Sequence, residues 1–147
     1  MIVKKNEYSN FKLDGFEQNA VFLTEGKEYL VLAIEGSDFR LFDDIGEPVL
    51  YPSSFFEIVD CSCDDWVKIT DEDGEIIHYG YKEFSDRYFF EDFFDDKEEN
   101  VKVVLNFLKK YDKELAQKLI DVRFSANSAK NIVNIIKELK WKIHNLT

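Results

Sequence analysis

The spacing of apolar residues changes character once along the chain, near Asp96, and that change restricts the fold more than any other feature. Before it, turn signals recur between short runs of β-branched and aromatic residues, which is the pattern of an all-β segment. The expected strands are Ala20–Leu23, Tyr29–Ile34, Phe39–Phe42, Val49–Tyr51, Glu57–Asp60, Trp66–Thr70 and Ile76–Tyr81. The segments 24–27, 35–37, 43–47 and 71–74 separate them, each with a glycine (Gly26, Gly36, Gly46, Gly74) where a positive φ is expected. After Asp96 the period becomes helical. Asp96 followed by Glu99 reads as a capping box, and Val101, Val104, Leu105 and Leu108 then mark one apolar stripe. A short helix is expected from Lys113 to Val122 with Leu115, Leu119 and Val122 inward. Ser125 or Ser128 would cap a last helix carrying Ile132, Ile136, Leu139 and Ile143 on one face, with Trp141 off that stripe. The expectation is an α+β chain: an antiparallel meander or barrel over residues 1–96, then a helical segment of two to three helices over 97–147 that packs on it.

Charge divides at the same place. Residues 1–96 hold 24 Asp+Glu and 8 Lys+Arg, a net of −16, while residues 97–147 hold 6 and 11, a net of +5. An acidic surface gains no counterion release from a phosphate backbone, so direct binding to nucleic acid is not expected. Lys130, Lys137, Lys140 and Lys142 make a local cationic excess that reads as a solvated helix face. Fourteen Phe and seven Tyr give the chain enough apolar area to offset its ordering entropy, which argues against disorder. No run of about 18 apolar residues occurs, so no membrane span is expected. Met1–Glu7 has no apolar core after its lysines, so no secretory signal is expected and the location expected is cytoplasmic.

From Gly26 to Asp60 the chain resembles the Src-homology-3-like barrels of small bacterial and phage proteins. Gly26-Lys27-Glu28-Tyr29-Leu30-Val31 opens the segment. Tyr51-Pro52-Ser53 followed by Phe55-Phe56-Glu57 closes it, as where such a strand makes one 3₁₀ turn and re-enters the sheet. In the peptide-binding members a Pro, a Tyr three residues later and a Trp in the preceding strand form a groove for Pro-rich ligands. Pro52 matches the first, but Phe55 stands at the Tyr position, and Phe39 or Arg40 stands where the Trp would be. The resemblance therefore implies the fold and not recognition of proline-rich peptides.

Motifs for chemistry are sparse. A hydrolytic triad needs a poised histidine; His78 lies in an expected strand and His144 near the chain end. Asp71-Glu72-Asp73-Gly74 lacks the glutamate of a calcium loop, with Gly80 in its place, and reads as a hairpin turn. Cys61 and Cys63 read as reduced thiols, because zinc would need two further ligands and only His78 and His144 remain. Phe89-Phe90-Glu91-Asp92-Phe93-Phe94-Asp95-Asp96 reads as a connecting helix with one wide aromatic face; its other reading is an acidic-aromatic epitope. Two hairpins share a spelling, aromatic strand, acidic turn, Gly-Glu, and Tyr five residues after the Gly (Gly46 to Tyr51, Gly74 to Tyr79). This is either an internal duplication or the way meanders are built, and the second is adopted.

These features favour a non-enzymatic binding or inhibitory protein with no cofactor and no metal. It would turn an acidic surface toward a basic protein such as a toxin or a nucleic-acid-binding factor, in the manner of immunity or anti-defence proteins. The residues expected to meet the partner are Asp43, Asp44, Glu47, Tyr51, Phe55, Asp71, Glu72 and Asp73. Two alternatives stand beside it: an adaptor or subunit of a larger assembly with an aromatic groove at Tyr51, Pro52 and Phe55, and a small-ligand binder or enzyme built on carboxylates.

Overall fold

The computed structural model describes residues 1–6, 22–123 and 130–145, with side chains at all of these but 130–136. Among the described residues seven strands come first: β1 (Ile2–Lys5), β2 (Glu28–Glu35), β3 (Asp38–Phe42), β4 (Pro48–Pro52), β5 (Phe56–Asp60), β6 (Trp66–Thr70) and β7 (Ile76–Tyr81). One 3₁₀ turn, Ser53–Phe55, joins β4 to β5, and another, Lys82–Phe84, follows β7. Four helices complete the order: α1 (Phe89–Phe94), α2 (Glu98–Tyr111), α3 (Lys113–Arg123) and α4 (Lys130–Asn145). The chain is thus α+β, an antiparallel sheet followed by helices. It forms two compact units, Met1–Arg87 and Tyr88–Thr147.

In the first unit the pairing runs β4-β3-β2-β1-β5, and the two end strands do not pair with each other. β2 is the common element. Val31–Glu35 pair with β3, Glu28–Leu30 pair with β1, and Ala33–Ile34 pair also with β7, which carries β6. Val31, Leu32 and Ala33 are buried in succession, and because adjacent residues of a strand point to opposite faces, β2 is covered on both faces there. The core beside it is aromatic. Phe56 lies 6.0 Å from Phe39, 6.2 Å from Phe55 and 6.5 Å from Tyr29, and Tyr51 lies 6.4 Å from Phe55, among Val3, Val31, Leu41 and Trp66. Such ring pairs add to area burial by about 0.5–1.5 kcal/mol each.

Six of the seven expected strands are present. Of the first, Ala20–Leu23, Ala20 and Val21 lie outside the described residues, while Phe22 and Leu23 form no strand. Phe22 instead accepts the Asp44 N–H through its carbonyl at 2.8 Å. β1 has no turn signal on its N-terminal side to delimit it, and four residues of mixed Ile, Val and Lys are too short to show a period.

In the second unit the stripe Val101, Val104, Leu105 and Leu108 of α2 is buried. The expected cap is not formed. Asp96 takes φ 59°, its N–H bonds the Phe93 carbonyl and the Lys97 N–H bonds that of Asp92. That is the left-handed C-terminal closure of α1, a place where Asp substitutes for the usual Gly. Asp96 therefore ends one helix and does not begin the next. Its carboxylate accepts from Arg123 at 3.3 Å, and the same guanidinium stands 4.3 Å from the Phe93 ring and 5.3 Å from Phe94. On α3 the buried residues are Ala116, Leu119 and Ile120, with Leu115 half-buried and Val122 exposed, so the inward face is rotated from the expected one. Asp112 caps α3 by accepting the Leu115 N–H at 3.0 Å, and the helix starts at Lys113 as expected. On α4 Leu139 is buried and Trp141 exposed. The expected Ser125 or Ser128 cap and the side chains of Ile132 and Ile136 lie outside what is described. No helix among the described residues is long and apolar enough to cross a membrane.

At Gly80 β7 approaches β2 closely: a Cβ there would overlap the Leu32 carbonyl oxygen and come within 2.5 Å of the Ala33 Cβ. Backbone atoms and a Cβ of β2 have no rotamer to relieve this. Gly80→Ala should lower unfolding free energy by about 1–3 kcal/mol, the usual cost of overpacking, or more if the β2–β7 pairing opens. Urea denaturation of the variant checks this, and an unchanged midpoint would show that β7 is not held against β2 as described.

Candidate functional site

The two acidic hairpin turns have the same local geometry. In the first, the Asp43 N–H bonds the Glu47 carbonyl at 3.0 Å and the Gly46 N–H bonds the Asp43 carbonyl at 3.0 Å. Asp43 Oδ1 then accepts the N–H groups of Ile45 and Glu47, each at 3.0 Å. In the second, Asp71 and Glu75 close the loop at 2.8 Å, Gly74 bonds the Asp71 carbonyl at 3.1 Å, and Asp71 Oδ1 accepts from Asp73 and Glu75 at 2.9 Å. Gly46 and Gly74 take φ of 84° and 80°, which a side chain would strain. The shared spelling in the sequence is a shared loop: an aspartate that organises the turn through its own backbone neighbours, then a glycine at the left-handed position.

Their surroundings differ. Asp43 is 2% exposed, with Oδ2 3.4 Å from the Tyr51 hydroxyl. Burial pushes its carboxyl up to about 7, against the lowering effect of the Glu47 and Ile45 N–H bonds. Asp44 is tied from three sides: Lys27 Nζ at 2.8 Å and the Tyr29 hydroxyl at 2.7 Å on Oδ1, and the Thr24 hydroxyl at 2.8 Å on Oδ2. Burial acts to raise its carboxyl, but the bonds from Lys27, Tyr29 and Thr24 outweigh that and hold it below the usual range. Glu47 is half-buried. In the second turn Asp71 is half-buried, and Glu72, Asp73 and Glu75 are exposed.

The aromatic residues expected to meet a partner are in the core. Tyr51 is 2% and Phe55 3% exposed, and only Pro52 is half-open. The physical reason is the Ser53–Phe55 turn, which reverses the chain so that Phe55 packs between Tyr51 and Phe56. Lys5, itself buried, places its ammonium 5.5 Å from the Phe55 ring. Arg40 is buried as well, forked onto Glu35 at 2.6 and 3.2 Å and donating to the Pro48 carbonyl at 3.0 Å. No aromatic groove is open at Tyr51, Pro52 and Phe55. Asp43, Asp44, Tyr51 and Phe55 thus hold the first unit together, and among the eight expected contact residues the ones fully presented to solvent are Glu72 and Asp73.

Sequence reasoning overlooked a second exposed acidic set. Glu57 and Asp60 on β5, with Asp64 and Asp65 in the following loop, are all exposed. The Ser62 N–H, at 2.8 Å, holds the Asp60 carboxyl below the usual range and so ionised at neutral pH. The signal was in the sequence, since acids crowd both flanks of Cys61 and Cys63, but attention to turn glycines passed over it. Cys61 and Cys63 are free thiols, exposed and half-buried, and Cys63 Sγ lies 3.1 Å from the Tyr79 hydroxyl. His78 is buried on β7, its imidazole held below its ordinary value chiefly by that burial. Among the described residues no group of three His, Cys, Asp or Glu could hold a metal ion.

On α4 the exposed Lys137, Lys140 and Lys142 flank Glu138, which bonds Lys142 at 2.9 Å and lies 3.7 Å from Lys102 of α2. The cationic face is interrupted by an acid. Division at Arg87 also changes the charge account: residues 1–87 hold 20 Asp+Glu against 8 Lys+Arg, a net of −12, and residues 88–147 hold 10 against 11, a net of +1. Comparison of the chain with protein-family models, with curated proteins and with solved structures finds no match.

The buried Asp43 makes stability depend on pH in a definite direction. Its folded value of about 7 lies above the unfolded carboxylate value near 3.9. The native state therefore holds the proton more tightly, and the stabilisation, complete below about pH 4, is lost as pH rises through 7. The slope is at most about 1.4 kcal/mol per pH unit. Asp43→Asn, which keeps the acceptor oxygen without the charge, should flatten the fall in unfolding free energy between pH 5 and 8. A pH series of denaturant melts reads this directly, and identical slopes for the two proteins would show that Asp43 titrates normally.

Proposed function

We propose that this protein is a non-enzymatic binding or inhibitory module that presents the acidic surface of its first unit to a basic protein. The observation that carries the reading is the exposure of Glu57, Asp60, Asp64 and Asp65 together with Glu72, Asp73 and Glu75, in a unit of net −12. Fields of this sign raise encounter rates with a cationic surface by about 10- to 1,000-fold. They act mainly on association, because rim charges carry little net affinity. The partner class that fits is a cationic toxin or a protein whose own cleft is built for nucleic acid.

The scaffold proposed for this surface is a Src-homology-3-like barrel within residues 1–96, the resemblance itself lying in residues 26–60. Support comes from β2 shared between β1 and β3, from the 3₁₀ turn at Ser53–Phe55, and from the return of β5 to pair with β1. The adaptor reading loses support with Tyr51 and Phe55 buried.

The test is stopped-flow association with a cationic protein captured from the source cell. Neutralising Glu72, Asp73 and Glu75 together, or Asp60, Asp64 and Asp65 together, as Gln or Asn, should slow association several-fold. Raising salt from about 0.1 to 1 M, where the screening length falls from about 10 to 3 Å, should do the same to the native protein. Rates indifferent both to salt and to these substitutions would contradict the reading.

A further inference from the structure

Three strands of the first unit end its pairing, and they are protected unequally. β4 begins and ends on proline (Pro48, Pro52), which has no N–H to offer a further strand. β6 presents Lys68 at its centre, an edge charge that discourages pairing, with its ammonium 5.3 Å from the Tyr79 ring. β5 has no proline and no cation; its edge charges are the acids Glu57 and Asp60, which discourage a like-charged strand and not a basic one. It pairs with β1 alone among the described residues, its last four residues are exposed, and Ile58 and Val59 are 55% and 49% accessible. The β1–β5 register passes from Val3↔Ile58 to Ile2↔Asp60, so Val59 is a bulged residue without a partner opposite. A bulge bends the strand and re-aims a side chain, and Val59 is here turned to solvent.

We propose that the free edge of β5, Glu57–Asp60, docks a short extended segment of a partner protein by strand addition, and that this segment alternates aliphatic with Lys or Arg residues. The inference rests on the acidic-surface reading above and gives that surface a backbone recognition site. The edge supplies main-chain hydrogen bonds, Ile58 and Val59 supply apolar contact, and Glu57, Asp60, Asp64 and Asp65 select the charge of the incoming strand. A second copy of this chain fits badly. An antiparallel β5–β5 pair centred on Ile58 and Val59 would set Glu57 opposite Asp60 twice, and like charges directly opposite are destabilising.

The probe is a short peptide alternating Lys and Val, with a twin N-methylated at alternate residues so that charge and composition stay while one edge loses its N–H donors. The two are titrated into the full chain at low salt and followed by amide-resolved NMR. The unmethylated peptide should shift and protect amides within Glu57–Asp60, and the methylated twin should bind at least about tenfold more weakly, since each lost hydrogen bond costs about 1 kcal/mol. Val59→Lys should abolish the effect. If that variant loses its fold, the pair Glu57→Gln and Asp60→Asn should weaken binding several-fold instead. Equal binding of the two peptides, or a footprint confined to Glu72–Glu75, would overturn strand addition and leave the acidic-surface reading in place. Binding of neither peptide would overturn both. Self-association of the free protein that Val59→Lys abolishes would assign the edge to a second copy and overturn the basic partner.

Discussion

The first unit depends on β2 having a neighbour on each edge. One edge is taken by β3, and the other is divided between β1 and β7. Through β1 the strand holds β5, through β3 it holds β4, and through β7 it holds β6. The arrangement requires two things of the sequence. β2 must be apolar where both of its faces are covered, which Val31-Leu32-Ala33 supplies, and β7 must approach closely, which Gly80 permits. Remove either and the hairpin carrying Glu72, Asp73 and Glu75 loses its anchor.

That framework explains how one kind of acidic turn serves two purposes. Both loops are organised by an aspartate that accepts two backbone N–H groups, and both close on a glycine with positive φ. Over the first lies the segment Thr24–Tyr29, whose hydroxyls and Lys27 ammonium take up Asp44, while Asp43 sinks beside Tyr51. No such segment meets the second turn among the described residues, and Glu72, Asp73 and Glu75 stay hydrated. A carboxylate with three donors around it has little field left for a distant partner, whereas hydrated ones contribute fully to steering. Net charge alone does not separate the two cases.

Much of the fold was readable because it is written in local terms. Alternation and turn glycines located β2 to β7, and the four-residue apolar stripe located α2. What escaped was non-local. β1 is defined by pairing with β2 and β5, which no window over Ile2–Lys5 can reveal. The role of Asp96 turned on whether it closes α1 or opens α2, and both readings use the same residue type. At the candidate site the sequence marked acids and aromatics correctly by kind but not by exposure. Tyr51 and Phe55 looked like groove residues because the spelling of a barrel and that of its ligand groove overlap, and the 3₁₀ turn that buries Phe55 decides between them. The acids around β5 are marked by no turn glycine, yet they lie on a strand that pairs on one side alone among the described residues.

Residue-by-residue amide hydrogen exchange of the free protein tests the central claim, that β2 is the shared strand and that β5, among the described residues, pairs on one edge alone. Val31, Ala33 and Ile34 should exchange slowest in the first unit, at the rate of global unfolding, while amides on the outward side of Glu57–Asp60 exchange fast. Slow exchange along the whole of β5, or sub-global exchange of Val31–Ile34, would contradict the account.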